Sequence, residues 1–370
     1  MRVLGASPAD VSRWRDPRAG DKWSPFFRAL EPELDVVEVL RAGLPFVERV
    51  ANAGLRRTGL GPLGGAWSSG RFRRRTLGLE HQLRAWDGRF DVVLQLQTLC
   101  APGTRPRPYA ICTDSTHALL TRHDPTARRV SHERAREWQQ LEREVARGAG
   151  VVLTWSDFAR RSFIEDYGCS PARVVTSGAG ANLLLDEPPD RRGRRPTALF
   201  VGYEFERKGG RVLLDAWADV ERRVPGAELV IAGPRTPVAA VAQRVRWVGK
   251  ADRARLVALY REGSLFVLPS LFEPFGLVLL EAMGNGLPCV ASACCAIPEL
   301  VQDGVNGMLA KPGDAGALAE ALVSLLADTE RAAAMGRAGH AAVMERHTWE
   351  HVGDRMRRAL RAASWERLPA

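Results

Sequence analysis

Along the chain, apolar residues gather into short runs separated by polar or helically spaced segments. In the first half the runs lie at 2–5 (RVLG), 34–39 (LDVVEV), 90–96 (FDVVLQL), 109–113 (YAICT) and 150–154 (GVVLT). Each has the length of a buried strand. Residues 131–147 carry charge with apolar positions at helical spacing, which predicts an amphipathic helix. The second half repeats the rhythm more cleanly. Strands are predicted at 198–202, 228–233, 245–249, 265–269 and 289–292, with helices at 210–224, 253–262, 277–284 and 315–326. Strands alternating with helices build a parallel, doubly wound sheet with both faces covered.

Residues 187–196 (EPPDRRGRRP) interrupt this rhythm with Pro, Gly and charge and no apolar period. They read as a linker between a first domain at 1–186 and a second at 197–346. The tail, 347–370, is amphipathic and Arg-rich. It is either a helix crossing back to the first domain or a solvated terminus. A chain of 370 residues suits two such domains.

Composition changes this picture little. The chain is 45% apolar and 26% charged, as folded domains are. Its formal net charge is +10. A basic surface can meet phosphate, nucleic acid or an anionic membrane, but an Arg excess over Lys also follows from G+C-rich coding. The six cysteines lack zinc-ligand spacing, and Cys294 and Cys295 are adjacent, poor geometry for an ordinary disulfide. They read as buried or incidental thiols of a reducing cytoplasm. The sequence has neither a signal-peptide layout nor a run of about twenty apolar residues. A cytoplasmic protein, at most peripheral to the membrane, is the expectation.

The densest chemistry lies at 269–299, PSLFEPFGLVLLEAMGNGLPCVASACCAIPE. It begins where a strand ends, the edge at which doubly wound sheets take ligands. Gly276 lets backbone approach a ligand, and the helix that follows offers unpaired N–H groups to a phosphate. Glu273 lies on the loop and Glu281 lies within the helix. The two can address different parts of one elongated ligand. A second segment, 200–210 (FVGYEFERKGG), sets Arg207 and Lys208 before a Gly-Gly turn at a strand end. Cations there are placed to neutralise a diphosphate. A solvated turn is the plainer alternative.

The block E-P-F-G-L-V-L-L-E, with LFVLPS before it and EAM-x-x-G-L-P-x-V, IPELV-x-D-G-x-N-G and PGD after it, resembles the E-x7-E signature of retaining glycosyltransferases of family 4. The resemblance implies the GT-B fold, two Rossmann-like domains facing a cleft. It implies that Glu273 contacts the donor sugar and that the backbone of Phe275, Gly276 and Leu277 meets sugar and phosphate oxygens. Glu281 would hold the ribose hydroxyls, while Gly202, Arg207 and Lys208 would line the diphosphate site. The family commonly has an Arg directly after the first Gly of that segment. Here Tyr203 takes its place, and Arg207 is the candidate replacement.

In the first domain, 113–119 (TDSTHAL) resembles the acceptor-side loop, which implies a role for His117 beside the donor sugar and a lesser one for Asp114. A structural histidine is the alternative. Residues 21–26 (DKWSPF) resemble the nucleotide-facing N-terminal loop, with Trp23 and Ser24 as its candidates. Residues 40–85 match least. There Arg49, Arg56, Arg57, Arg71, Arg73, Arg74 and Arg75 form an acceptor mouth, dock on anionic lipid, or make a solvated basic helix and loop pair.

The function these features imply is hexosyl transfer from a nucleoside diphosphate sugar, UDP- or GDP-linked, to an acceptor hydroxyl with retention of configuration. The acceptor is a glycan, a lipid-linked intermediate or a natural product. No tightly bound cofactor, no metal and no nucleic-acid partner are expected. The rivals are another GT-B enzyme, an epimerase or phosphorylase, and, more remotely, a non-enzymatic nucleic-acid-binding protein suggested only by charge.

Overall fold

The computed structural model describes residues 1–16, 23–42, 67–124, 131–185, 187–191, 195–234 and 243–365. Residues 21 and 22, and with them part of the expected N-terminal loop, lie outside the described residues, as do Arg49, Arg56 and Arg57.

The chain divides into two compact units. One comprises residues 1–122, 126–178 and 352–370, the other 123–125 and 179–351. The first holds the parallel strands β1 (Arg2–Ser7), β2 (Asp35–Arg41), β3 (Val92–Leu96), β4 (Tyr109–Thr113), β5 (Val151–Thr154) and β6 (Val174–Thr176), ordered β2-β1-β3-β4-β5-β6. Its helices include α1 (Ser24–Arg28), α2 (Ser69–Arg84), α3 (His117–His123), α4 (His132–Gly148) and α5 (Asp157–Glu165). The strands β3 and β5 are buried throughout, because helices cover both faces of a parallel sheet and leave no polar alternation to read.

The second unit repeats the plan. Its strands are β7 (Thr197–Val201), β8 (Glu228–Ala232), β9 (Val245–Gly249), β10 (Leu265–Leu268), β11 (Cys289–Ser292) and β12 (Gly307–Ala310), in the order β12-β11-β10-β7-β8-β9. Its helices are α6 (Gly210–Arg223), α7 (Arg253–Glu262), α8 (Leu277–Gly284), the one-turn α9 (Ile297–Leu300), α10 (Ala315–Ala327) and α11 (Thr329–Arg346). The strand order reverses between β7 and β10, a switch point at whose carboxyl edge doubly wound sheets take ligands.

Helix starts are written in the sequence. The side chains of Ser68, Ser131, Ser156, Asp252, Asp314 and Asp328 each accept a backbone N–H from the first turn of α2, α4, α5, α7, α10 and α11. Such caps satisfy one of the donors a helix leaves open.

The passage between units differs from the expected boundary at 187–196. It falls at 178/179, because the segment that follows is clasped by the second unit. Asn285 accepts from the Leu185 N–H at 2.9 Å and donates to the Leu183 carbonyl at 2.8 Å. Within the expected linker, Arg191 donates to the carbonyls of Tyr260, Gly263 and Asn285. The final helix, α12 (Trp349–Ala362), belongs to the first unit from Val352 onward. There Arg357 donates to the Ala29 carbonyl, and Arg361 pairs with Glu33 at 2.8 Å. No described helix is long and apolar enough to cross a membrane.

Candidate active site

The loops after β7 and β10 meet at the switch point of the second sheet, and Gly209 makes their approach possible, with Gly233 and Gly202 packed close by. A Cβ on Gly209 would stand 1.8 Å from the Pro269 carbonyl oxygen, and its φ is +72°. A Cβ on Gly233 would stand 2.2 Å from the Gly202 oxygen, and one on Gly202 would strike the Lys208 side chain at 2.3 Å. At Gly209 and Gly233 the added atom would meet main chain, which only glycine avoids. The backbone completes the join, with the Leu271 N–H donating to the Arg207 carbonyl at 2.9 Å.

This packing sets side chains 65 residues apart against each other. Lys208 Nζ lies 2.7 Å from Glu273 Oε2, and both side chains are nearly buried. Ser270 Oγ donates to the same oxygen at 3.4 Å. Arg207 donates to the Phe272 carbonyl at 2.6 Å, and its Nη1 lies 3.8 Å from Glu273. Tyr203, by contrast, is 63% exposed. The guanidinium beside the Lys–Glu pair is therefore that of Arg207, held in place by a main-chain carbonyl. Phe275 is buried beneath the loop. Gly276, at φ +100°, turns the chain into α8, whose first turn at Leu277 has no side-chain cap. Its open N–H groups face the polarity a phosphate needs.

Glu281 sits within α8, 8% exposed, and accepts a hydrogen bond from the Tyr260 hydroxyl at 3.0 Å. Burial lifts its pKa to about 7, with the Tyr260 bond and the charges of Arg253 and Lys208 pulling the other way. A carboxylate raised this far into the neutral range and left without a salt-bridge partner is costly to the fold. It is the pattern of a site built for a ligand rather than for stability.

In the first unit the expected residues part company. Asp114 stands just past β4, half-buried at the carboxyl edge of the sheet. His117 does not stand with it. It is 2% exposed, its ring centroid 5.0 Å from that of Trp67 and 6.0 Å from that of Trp138, and neither ring nitrogen has a hydrogen-bond partner. Burial holds its pKa down at about 4. Four residues past the strand, at the start of α3, its ring lies in an aromatic pocket beside Trp67 and Trp138. Trp23 and Ser24 are buried as well. Trp23 is 2% exposed and packs on Trp155 with centroids 5.3 Å apart, while Ser24 is fully buried at the start of α1. Phe26 and Phe27, which follow, are fully buried and anchor α1 in the core. Of the basic cluster, α2 buries Arg71 and exposes Arg73 and Arg74.

The sequence reading passed over Tyr260, Arg253 and Ser270. Arg253 and Tyr260 are seven residues apart on α7, two turns along one helix face, a spacing that offered a signal. It also passed over the glycine contacts between loops, for which sequence holds no sign. Cys294 and Cys295 were expected to be buried or incidental. Both are partly exposed, unlike the four other cysteines. Among the described residues no group of three or more His, Cys, Asp or Glu side chains is placed to hold a metal ion.

Residues 195–328 match the family described as glycosyl transferases group 1. A D-inositol 3-phosphate glycosyltransferase of Nocardia farcinica is 31% identical over 249 residues, covering 60% of this chain and 54% of that one. A phosphatidyl-myo-inositol mannosyltransferase of Mycobacterium leprae is 34% identical over 234 residues, covering 56% and 61%. The chain thus spans between about half and three fifths of the length of these curated relatives. Among solved structures, the sucrose-phosphate synthase of Thermosynechococcus elongatus superposes with a TM-score of 0.74 at 18% identity over 98% of both chains. Anabaena HepE in complex with UDP and glucose gives 0.68 at 19% identity, covering 98% of this chain and 100% of that one. The fold is GT-B, two parallel six-stranded sheets each flanked by helices.

Proposed function

We propose that the chain is a glycosyltransferase that moves a hexosyl group from a nucleoside diphosphate sugar to an acceptor hydroxyl, with retention of configuration. The observation that carries this reading is the pairing of loops at the switch point: one buried carboxylate, Glu273, gripped by Lys208 and flanked by Arg207, with a second, Glu281, deep in the helix behind it. The family match over 195–328 covers this arrangement. Named relatives transfer glycosyl or mannosyl groups, and a neighbour of the same fold holds UDP and glucose.

In this reading Glu281, ionised, accepts from the two ribose hydroxyls. The diphosphate lies against the uncapped N–H groups of Leu277 and its neighbours, with Phe275 and Gly276 shaping the turn. Gly202 gives the phosphate close access to backbone, and Lys208 turns from Glu273 toward the leaving β-phosphate as negative charge builds there. Arg207 supports it from the other side. Preorganised cations of this kind contribute several kcal/mol to the transition state. Glu273, released from the lysine, accepts from hydroxyls of the donor hexose. Asp114, at the edge of the first sheet, is the proposed acceptor-side residue. No step calls for a metal, because two side-chain cations already face the diphosphate.

The test is a nucleotide series. UDP, GDP and ADP and their hexose conjugates are added to the purified chain and its melting temperature is followed, beside Glu281→Gln. A ligand at about a hundred times its Kd adds roughly 2.7 kcal/mol. One nucleotide that stabilises the parent and not the variant supports the reading. Hexose release or transfer from that conjugate then identifies the reaction. Stabilisation by none of them would sink the donor assignment.

A further inference from the structure

A cavity of about 570 Å³ opens in the first unit, at the amino edge of its sheet. Tyr109, Gly150 and Arg173 line it, at the starts of β4, β5 and β6. Asp114 stands past the other end of β4, and no residue of the candidate active site lines the cavity. Its floor is the outer side of the first unit's core: Phe72, Tyr109, Leu141 and Val145 pack in that cluster and line the cavity as well. The Tyr109 hydroxyl donates to the Val145 carbonyl at 2.8 Å, so the polar atom of that floor is already satisfied.

Two further walls are held in place. Trp365, from the tail of the chain, lines the cavity. A Cβ on Gly150 would stand 2.7 Å from its ring, so the indole seats where a side chain would otherwise be. The proline-rich loop 101–108 forms the other wall. Arg107 pairs with Glu80 at 2.7 Å and Asp87 at 3.1 Å, and the Thr104 N–H donates to Glu80 at 3.0 Å. Walls fixed in this way make a preformed cavity, and its volume is within the range of about 300–1,000 Å³ that small-molecule sites occupy.

The charges of the lining select what it takes. Arg105 and Arg107 are matched by Glu80 and Asp87. Arg73, on the exposed side of α2, and Arg173 line the cavity too, and neither guanidinium has a hydrogen bond or ion pair among the described residues. Glu144, the remaining acid of the lining, accepts from the Gln140 amide at 2.9 Å. Two unmatched cations against one acid leave a surplus of one positive charge. Leu77 lies about one helical turn beyond Arg73. It also lines the cavity, and at 60% exposed it leaves an apolar side chain at the mouth.

We propose that this cavity is a binding site for a single-chain monoanion, a fatty carboxylate. Its alkyl chain lies along Phe72, Leu141, Val145 and Trp365, and its head is held by Arg73 and Arg173. Each buried methylene tightens Kd roughly fourfold, and a guanidinium meets a carboxylate with two parallel N–H bonds. The site stands on the first unit alone and does not depend on the donor reading.

Octanoate, decanoate and dodecanoate, each below its micelle concentration, are titrated into the full chain by calorimetry, beside decanol and decyltrimethylammonium. Kd should fall about fourfold per methylene, and decanoate should bind about tenfold or more tightly than decanol, with the ammonium weaker still. The Arg73→Gln/Arg173→Gln double variant should bring decanoate to the affinity of decanol and leave decanol unchanged. Leu77→Ser, at an exposed position, should weaken both. A decanoate brominated at its terminal carbon should quench tryptophan emission in the parent and much less in Trp365→Phe. Decanol bound as tightly as decanoate overturns the anionic ligand. An affinity indifferent to chain length and to Leu77→Ser, or quenching unchanged in Trp365→Phe, overturns the cavity. Association with anionic vesicles, without saturable binding of free decanoate, overturns both.

Discussion

Replacing Glu281 by glutamine should make the protein more stable and its nucleotide site weaker. The carboxylate is buried, accepts from the Tyr260 hydroxyl, and has its pKa raised by burial from 4.5 to about 7. At about 1.4 kcal/mol per pKa unit, that rise is worth about 3 kcal/mol. The folded chain holds this proton more tightly than the unfolded chain does. The associated stability is therefore complete below pH 4.5 and is lost as pH rises through 7. At pH 8 the parent carries the whole cost of an ionised, buried carboxylate. A glutamine carries none of it, and its amide oxygen keeps the bond from Tyr260. For a unit of this size the gain at pH 8 corresponds to a rise in Tm of about 5–10 °C. The difference should shrink toward zero at pH 5, so the variant and parent curves converge in acid. Nucleotide affinity moves the other way. Losing hydrogen bonds to a charged acceptor costs about 1.5–3 kcal/mol, or roughly 10- to 150-fold in Kd. Differential scanning fluorimetry from pH 5 to pH 8.5, with and without the stabilising nucleotide, reads both effects. A variant less stable than the parent at pH 8, or one with the parent's pH slope, would show that Glu281 is not strained by burial.

Three further outcomes follow from the same geometry. Lys208→Met strands Glu273 in a nearly buried pocket and should cost about 3–5 kcal/mol in chemical denaturation, most of it recovered in the Lys208→Met/Glu273→Gln double variant while transfer activity stays low. Gly209→Ala drives a Cβ into the Pro269 carbonyl, so the two loops must separate; activity should fall at least as steeply as in Lys208→Met, measured as the rate of hexose transfer. His117→Phe should leave nucleotide binding intact, and because burial depresses the histidine from its ordinary 6.5 to about 4, its stabilisation is present above pH 6.5 and lost as pH falls toward 4. The phenylalanine variant should accordingly lose less stability than the parent in urea titrations between those pH values.

The fold was legible because its information is local. Runs such as 109–113 and 289–292 coincide with β4 and β11, since a strand buried on both faces needs only consecutive apolar residues. What the sequence withheld depends on burial depth at a given turn. From TDSTHAL alone, the depth of Asp114 and His117 cannot be read. The non-helical step from Asp114 to the start of α3 leaves one half-buried at the sheet edge and the other buried beside Trp67 and Trp138. The same limit hid the passage at 178/179. Its cause is Asn285, a hundred residues downstream, whose amide clasps the backbone of Leu183 and Leu185.

The candidate site itself illustrates why a motif can be found before its mechanism. The spacing from Glu273 to Glu281 is visible in one line of sequence, but neither residue owes its chemistry to that spacing. Glu273 is set by Lys208 and Ser270, and Lys208 is brought in range only because Gly209 has no side chain to meet Pro269. Glu281 is set by Tyr260 from another helix. Two acids of the same type thus end in opposite states, one paired with a cation and one uncompensated. Strand order is the physical reason: β7 and β10 run side by side, so the loops above them meet, joined by the Leu271 N–H and the Arg207 carbonyl. The cations arrive from one loop and the carboxylates from the other. A ligand that carries negative charge at its centre and hydroxyl groups at its ends would engage all of these groups at once, which is why a nucleoside diphosphate sugar is the donor proposed for this site.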